Sequence, residues 1–530
     1  MLSCIQIQAQ IQGWSRSYEV SPAQEYTWGH FIKNDTIILN SFNFCYEDYN
    51  ECTYLSKIDT AGNLCSSFEI HKEGKSGQFS LQTDFIDLDS MFAMTGDDAW
   101  DNDTSYQETQ YLYLINYDMS NYRRYKLPVS ESDFQYGRNL IYYKEDSLFV
   151  LMGNKLIENK PINKKRITLT GMSLSGEVKW QYTYTDPKKY FINYFGGIIK
   201  NSDTSFIVSI RVGAWRVQYF SINIKGKLLW EYTEDNGPID DLNDPSTFTP
   251  YIADVNGKDL VRVWYYDSPN YQRLAPEITR LDYKGNKKWT TPLREDYGGP
   301  GFFPWTKANV ISDLKIQQLI KAQNGDLIGV GSCLLVEGFW EPSTSPIQFI
   351  ALLGYAFRID TSGTMKWERF YLDKDKYKYG YQELNNIAEA DDGAIYLSGT
   401  LRDSLPKGIP GTGNNNIWLI KVGPDGCITP GCTDTLLQVA TTKILNQRPE
   451  LLSVYPNPGS TELNISWKNT PSDPLLLEIR SISGQLIQSE KIQADGGTST
   501  HNVSNIPSGL YLLTLRGRDW QSMPVKWVKM

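Results

Sequence analysis

Residues 281–289 read LDYKGNKKW and residues 359–367 read IDTSGTMKW, and the same element returns as MSLSGEVKW at 172–180 and NIKGKLLW at 223–230. In each, a small polar residue is followed three positions later by glycine and four positions after that by tryptophan. Asp282 and Asp360 are suited to open a tight turn, and Gly285 and Gly363 supply the positive φ that the reversal needs. The tryptophan then lies on a strand on the same side as the glycine, because side chains along a strand repeat every two residues. Partial copies flank the four: IDTAGNLCS around Gly62, a degenerate LINYDMSN near Tyr117, and VGPDGCITP around Gly426. Trp14, in GWSRSYEV, opens the series, its surroundings resembling WQYTYTD from Trp180 and WERFYLD from Trp367.

A second strand precedes each element and recurs seven times, beginning at Asn34, Asp89, Glu145, Ser202, Asn256, Asn324 and Asp391. Its spacing of about 54 to 68 residues suits blades or arrays in which each repeat buries its neighbour's face. A flat indole at that position would fill the wedge between adjacent sheets. The expected fold is all-β: a roughly seven-bladed β-propeller over residues 11–432, leaving only short protected edges, then a small C-terminal immunoglobulin-like β-sandwich. The repeats resemble the pyrroloquinoline-quinone-type propeller repeat over about 410 residues. That resemblance implies the fold alone, since the chain has neither a vicinal cysteine pair nor a separate ligand cluster to hold a quinone, and no cofactor is expected. The sialidase Asp-box is excluded, because its Asp-to-Gly step is two residues and that from Asp282 to Gly285 is three.

The chain has 530 residues, 40% hydrophobic and 13% aromatic, with 34 Tyr and 15 Trp, a composition suited to pleated, half-buried surfaces. Its net charge is −9, and no basic stripe could neutralise a row of phosphates, so nucleic acid is not an expected partner. No apolar run is long enough for a membrane-spanning helix. MLSCIQIQAQ, residues 1–10, reads as the remnant of a secretory signal peptide ending in small and polar residues. Cys45 with Cys52 and Cys427 with Cys432 are close enough to staple local loops in an oxidising compartment, and Cys65 and Cys333 read as buried thiols.

Residues 451–530 alternate well through Leu463, Ile465 and Trp467, then Leu475 to Ile479, Leu486 to Ile487 and Leu510 to Leu515, with turns at Pro456-Asn457-Pro458, Ser483-Gly484 and Pro507-Ser508-Gly509. The order LLSVYPNP, EIRSISGQLI, IPSGLYLLTL and VKWVKM resembles the type A sorting domain that Bacteroidota attach to cargo of the type IX secretion system. The motif positions carried over are Tyr455, Pro456, Asn457, Pro458, Gly484, Gly509, Tyr511, Lys526 and Lys529. The resemblance implies recognition by the type IX secretion machinery, passage through the periplasm and across the outer membrane, and a secreted or surface-attached product. It also implies a cleavable linker, placed at 433–450. Trp527 departs from the plainer basic and apolar ending of the family.

Chemistry-bearing residues are sparse. Histidines number three, His30, His71 and His501, too scattered for a His-based zinc site or a Ser-His-Asp triad. Asp97, Asp98, Asp101 and Asp103 form an acidic run, read as one loop, whose hard oxygens would suit calcium. Phe302, Phe303 and Trp305 sit in a Gly- and Pro-rich stretch where exposed rings would stack on a glycan or on a protein's apolar surface. The expectation is a secreted or surface binding and adhesion module rather than an enzyme. The alternative is an extracellular hydrolase of polysaccharide or peptide that gathers carboxylates in the propeller channel.

Overall fold

A computed structural model describes residues 12–19, 25–45, 50–70, 78–81, 85–102, 105–119, 121–128, 140–158, 164–184, 192–212, 216–235, 252–254, 259–264, 276–293, 309–337, 348–373, 381–402, 415–434, 436–439, 441–445, 453–467, 475–482, 485–492, 497–516 and 524–530. The chain forms two compact units, one of Ala23–Thr442 with the stretch up to Ser17, the other of Lys443–Met530 with Tyr18–Pro22.

The larger unit is a succession of antiparallel meanders. The first sheet runs Glu25–Lys33, Thr36–Cys45, Asn50–Asp59, Leu64–Ile70. In the second, Gln78–Leu81 and Ile86–Asp87 share the inner edge of Met91–Asn102, followed by Ser105–Asn116 and Tyr122–Lys126. The third is Leu140–Tyr143, Leu148–Glu158, Lys164–Ser173, Val178–Thr183, and the fourth Ile192–Ser202, Ser205–Val212, Arg216–Asn223, Leu228–Asp235. The fifth is Ile252–Asp254, Asp259–Trp264, Glu277–Asp282, Lys287–Pro292. Two more meanders touch through the single parallel pair Leu352 and Tyr381. The sixth is Asn309–Lys321, Leu327–Glu337, Gln348–Ile359, Met365–Asp373. The seventh is Tyr381–Glu389, Ile395–Arg402, Asn415–Val422, and its fourth strand is Trp14–Glu19, from the other end of the chain.

Each meander buries its face against the next. Ile38 and Leu55 of the first pack on Phe92 and Met94 of the second, Phe149 of the third on Leu112 of the second, and Val150 of the third on Phe206 of the fourth. Tyr219 of the fourth meets Leu260 of the fifth, Val261 of the fifth meets Tyr355 of the sixth, and Val330 of the sixth meets Leu397 of the seventh. The seventh returns to the first, where Thr27 Oγ1 donates to the Gly399 carbonyl at 2.9 Å and His30 Nδ1 lies 2.7 Å from Ser398 Oγ. The sheets therefore close a ring, and the larger unit is a β-propeller.

The repeated element explains the wedge. Asp282 Oδ1 accepts from the Lys284 and Asn286 amides, and Asp360 Oδ1 from those of Ser362 and Thr364. Asn223 Oδ1 takes the Lys225 and Lys227 amides in the same way. The Asn286 side-chain amide on Asp282 and the Lys366 ammonium on Asp360, each at 2.8 Å, together with these backbone bonds hold the two carboxyls below the usual range. Gly285 and Gly363 have φ of 83° and 91°, and a bulge follows where Arg280 opposes Trp289 but Leu281 opposes Lys287. The indoles of Trp14, Trp180, Trp289 and Trp367 each lie on the turn glycine of the following sheet. A Cβ on Gly226, Gly363 or Gly426 would stand 2.8–2.9 Å from Trp180, Trp289 or Trp367 respectively, and one on Gly62 would stand 3.1 Å from Trp14. Each indole N–H donates to the carbonyl two residues before that glycine: Trp14 to Thr60, Trp180 to Ile224, Trp289 to Thr361, Trp367 to Pro424. Arg280 and Arg358 add a guanidinium to the Thr361 and Pro424 carbonyls. Where the pattern weakens, tyrosine substitutes: Tyr125 lies on Gly176 and Tyr232 on Gly285, while Trp230 stacks on Tyr283 at 5.9 Å. In the degenerate second copy, Met119 takes the turn with φ of 58°.

Copies without tryptophan fit this scheme. VGPDG in the seventh meander runs into the Cys427–Cys432 disulfide instead of a fourth strand, because Trp14 supplies that strand's indole. Two short strands lie within 433–450. Leu436–Val439 pairs in parallel with Met365–Asp373, Val439 is buried, and Thr441–Leu445 flanks Trp14–Glu19. Two edge strands with apolar and β-branched residues are thereby covered rather than left as templates for association.

The seam between the seventh meander and the first differs from the rest. Among its described residues, Thr27, His30, Ser41, Ser398 and Thr400 are buried. Asn386 Oδ1 accepts from the His30 amide at 3.2 Å, as Gln318 Oε1 accepts from the Ile387 amide across the preceding seam. Burial holds the His30 imidazole neutral, its pKa lowered to about 3, with a backbone bond to Tyr396 opposing. Between that value and the ordinary 6.5 the unfolded chain takes up a proton that the folded chain refuses. His30 therefore contributes no pH dependence above 6.5, and stability falls by up to about 1.4 kcal/mol per unit as the pH drops below it. Urea midpoints between pH 7 and 4 should fall more steeply for the wild type than for His30→Gln, and parallel slopes would refute the assignment.

The smaller unit is a two-sheet sandwich. Ser453–Tyr455, Glu462–Ser466 and Thr498–Asn502 form one sheet, and Leu486–Ile492, Leu475–Ser481, Gly509–Arg516 and Val525–Lys529 the other. Leu463, Ile465 and Trp467 interleave with Leu477, Ile479, Leu513 and Trp527 between them.

Candidate functional site

The turn motif of the smaller unit and its last strand form one construction. Asn457 acts as a surrogate strand: its Nδ2 donates to the Lys526 carbonyl at 2.8 Å, and its Oδ1 accepts from the Val528 amide at 2.9 Å. The Gly459 amide donates to the Val528 carbonyl and the Met530 amide to that of Gly459. Trp527 is fully buried and donates Nε1 to the Pro456 carbonyl at 3.0 Å. A Cβ on Gly459 would lie 2.9 Å from that carbonyl and 3.1 Å from the indole nitrogen, so only glycine fits there. The peptide bonds before Pro456 and Pro458 are cis. The arrangement closes the exposed edge of the last strand with one side chain and one turn.

Of the expected motif positions, Tyr455, Pro456, Asn457 and Pro458 come together with Lys526 and Lys529 at this edge, Tyr455 and Lys526 exposed. Gly509 and Tyr511 belong to the core side of the adjacent strand, where Tyr511 donates to the Pro507 carbonyl and its ring centroid lies 6.0 Å from that of Trp527. Gly484 lies outside the described residues. Gly459 and Trp527 were missed as parts of the site, and Trp527, which reads as a departure in sequence, is a keystone of it.

In the propeller, Asp97, Asp98 and Asp101 are not on a loop: they lie in the strand Met91–Asn102, paired opposite Gln110, Thr109 and Tyr106. Their side chains, all of Asp103, and Phe302, Phe303 and Trp305 lie outside the described residues. Among the described residues no cluster of three metal-ligating side chains occurs. Cys427 and Cys432 are joined, as expected. Cys333 is buried, but Cys65 is exposed, because it lies on the outermost strand of the first sheet. Cys45 and Cys52 lie in paired strands, Cys52 opposite Asn43, with their side chains outside the described residues. No helix among the described residues is long and apolar enough to cross a membrane.

Residues 453–529 match the family of the secretion system C-terminal sorting domain. No curated protein matches the chain. Among solved structures, the chain is similar at 10% identity to the β-propeller domain of the Trilobed protease from Pyrococcus furiosus, over 78% of this chain and 98% of that one, with a TM-score of 0.42. It is similar at 10% identity to the acylaminoacyl peptidase of Pyrococcus horikoshii, over 85% of this chain and 59% of that one, with a TM-score of 0.41. A Synechocystis apocarotenoid oxygenase follows at 10% identity, 49% and 58% coverage and a TM-score of 0.33. At these scores the likenesses carry no inference about activity.

Proposed function

We propose that this chain, exported to the cell surface or the medium by the type IX sorting domain at residues 453–529, is a seven-bladed propeller that binds a glycan or protein ligand at one end of its ring. The asymmetry of the ring supports this reading. At one end, antiparallel strands are joined by tight turns such as 34–35, 203–204 and 283–286. At the other end lie the strand ends flanking 236–251, 265–276, 293–308, 338–347 and 403–414. Short turns fix geometry, whereas long connections carried on a rigid scaffold are where binding residues concentrate. Phe302, Phe303 and Trp305 fall within 293–308, the connection between the fifth and sixth meanders.

The test is binding of the full chain to glycan and protein arrays. Replacing Phe302, Phe303 and Trp305 together with alanine is expected to weaken binding at least about tenfold, roughly 1.4 kcal/mol. Turnover of a polysaccharide or peptide with no such binding would overturn the reading in favour of a hydrolase.

A further inference from the structure

Among the described residues, large apolar side chains lie open to solvent mostly in one place. The propeller exposes Val178 and Leu229, while the smaller unit exposes Tyr455, Ile482, Leu486, Ile487, Leu510, Val528 and Met530. Strand register puts several of these on one face. In the four-stranded sheet, Leu475, Leu477, Ile479, Tyr511, Leu513, Leu515 and Trp527 point into the core, so residues of the opposite parity point out. Across the outward face, Leu510 stands opposite Val528, and the next row reads Leu486, Arg480, Leu512, Lys526. Ile482, beyond Arg480 on the same parity, is 69% exposed, and Leu486 and Leu510 are 46% and 41% exposed.

The same face is basic. Among the described residues, Lys491, Arg480, Arg516 and Lys526 project from it against one carboxylate, Glu478, which is nearly buried and is held by Arg480 at 2.9 Å and Arg516 at 3.8 Å. A basic face on a chain of net charge −9 is a local feature, not a reflection of composition. It also disfavours a second copy as occupant, because an isologous dimer through this face would set Lys491 and Lys526 against like charges.

We propose that this outward face is the surface by which the secretion machinery grips the chain, through a partner that offers an apolar patch bordered by carboxylates. The proposal rests on reading residues 453–529 as a sorting domain. The core-facing motif residues build and close the sandwich, and the outward residues present the contact.

The full chain carrying Leu486→Glu and Leu510→Glu, produced in a bacterium with a type IX system, is expected to remain in the periplasm. Its exported fraction should fall at least about tenfold, equivalent to roughly 1.4 kcal/mol of docking energy. Its thermal melt should stay unchanged, and Thr500→Glu, exposed on the other sheet, should export normally. Should the double variant fail to fold, Lys491→Glu with Lys526→Glu carries the test with the same expected retention. Wild-type export of the folded variants would overturn the face while leaving the sorting reading intact. Normal export of a chain lacking residues 446–530 would overturn the sorting reading itself. A wild-type dimer that the double variant abolishes, with export unaffected, would assign the face to a second copy and sink the proposal.

Discussion

Trp367→Ala should destabilise the propeller by about 3–5 kcal/mol, the range for truncating a large buried aromatic. Trp367 is 7% exposed and packs within the core shared by the sixth and seventh meanders. Its ring covers Gly426, and its N–H reaches the Pro424 carbonyl, which Arg358 also binds. Alanine removes the wedge and leaves that carbonyl with the guanidinium alone, and the gap lies between two sheets that the closed ring keeps from collapsing. Trp367→Phe retains most of the apolar contact and loses the hydrogen bond, so a loss of about 1 kcal/mol beyond the volume change is expected. Trp289, whose bond to Thr361 is exposed, should cost less on truncation. Guanidinium titrations of the three variants check the order. A Trp367→Ala midpoint indistinguishable from wild type would show that the indole is not a wedge.

The repeating unit was legible because each residue in it does a local job. An aspartate or asparagine accepts two amides within four residues, a glycine takes the positive φ, and an indole lies at a fixed step beyond. Even the indole missing from the last copy could be read, since Trp14 stands at the far end in matching context. What sequence could not show depends on distant partners. His30 and Ser398, 368 positions apart in the chain, meet across the seam, and nothing local marks either as part of it. Gly399 looks like a strand terminus, yet a Cβ there would stand 1.7 Å from the Glu383 carbonyl, where the inner strand bulges at Asn385. The acidic run at 97–103 reads as a loop by composition, but pairing along Ser105–Asn116 extends its strand through Asn102. In the sorting domain the turn was legible and its purpose was not, because Asn457 serves a strand about 70 residues away.

Deleting residues 12–17 should cost more than any point substitution, at least about 5 kcal/mol, the lower end of a typical domain's whole stability margin. Three kinds of contact end together. Trp418, completely buried, loses the Ser15 hydroxyl that its N–H reaches at 3.0 Å, and the Ile428 carbonyl loses the Gly13 amide. The edge of Asn415–Val422 becomes an unpaired strand with buried apolar residues on it. The first sheet also loses its neighbour's indole, because Trp14 bridges to the Thr60 carbonyl and covers Gly62. Among the described residues, the polar seam at Thr27 and His30 then remains between the ends of the ring, and a hydrogen bond there adds only about 1 kcal/mol net. The shortened full chain should therefore bind a hydrophobic dye, yield to limited proteolysis across residues 25–70 and 381–445, and lose its sharp thermal transition. Trp14→Ala, which keeps the strand and removes only its wedge, should fall between this variant and wild type. If the deletion melted as cooperatively and at the same temperature as the intact chain, the N-terminal strand would not be what closes the ring.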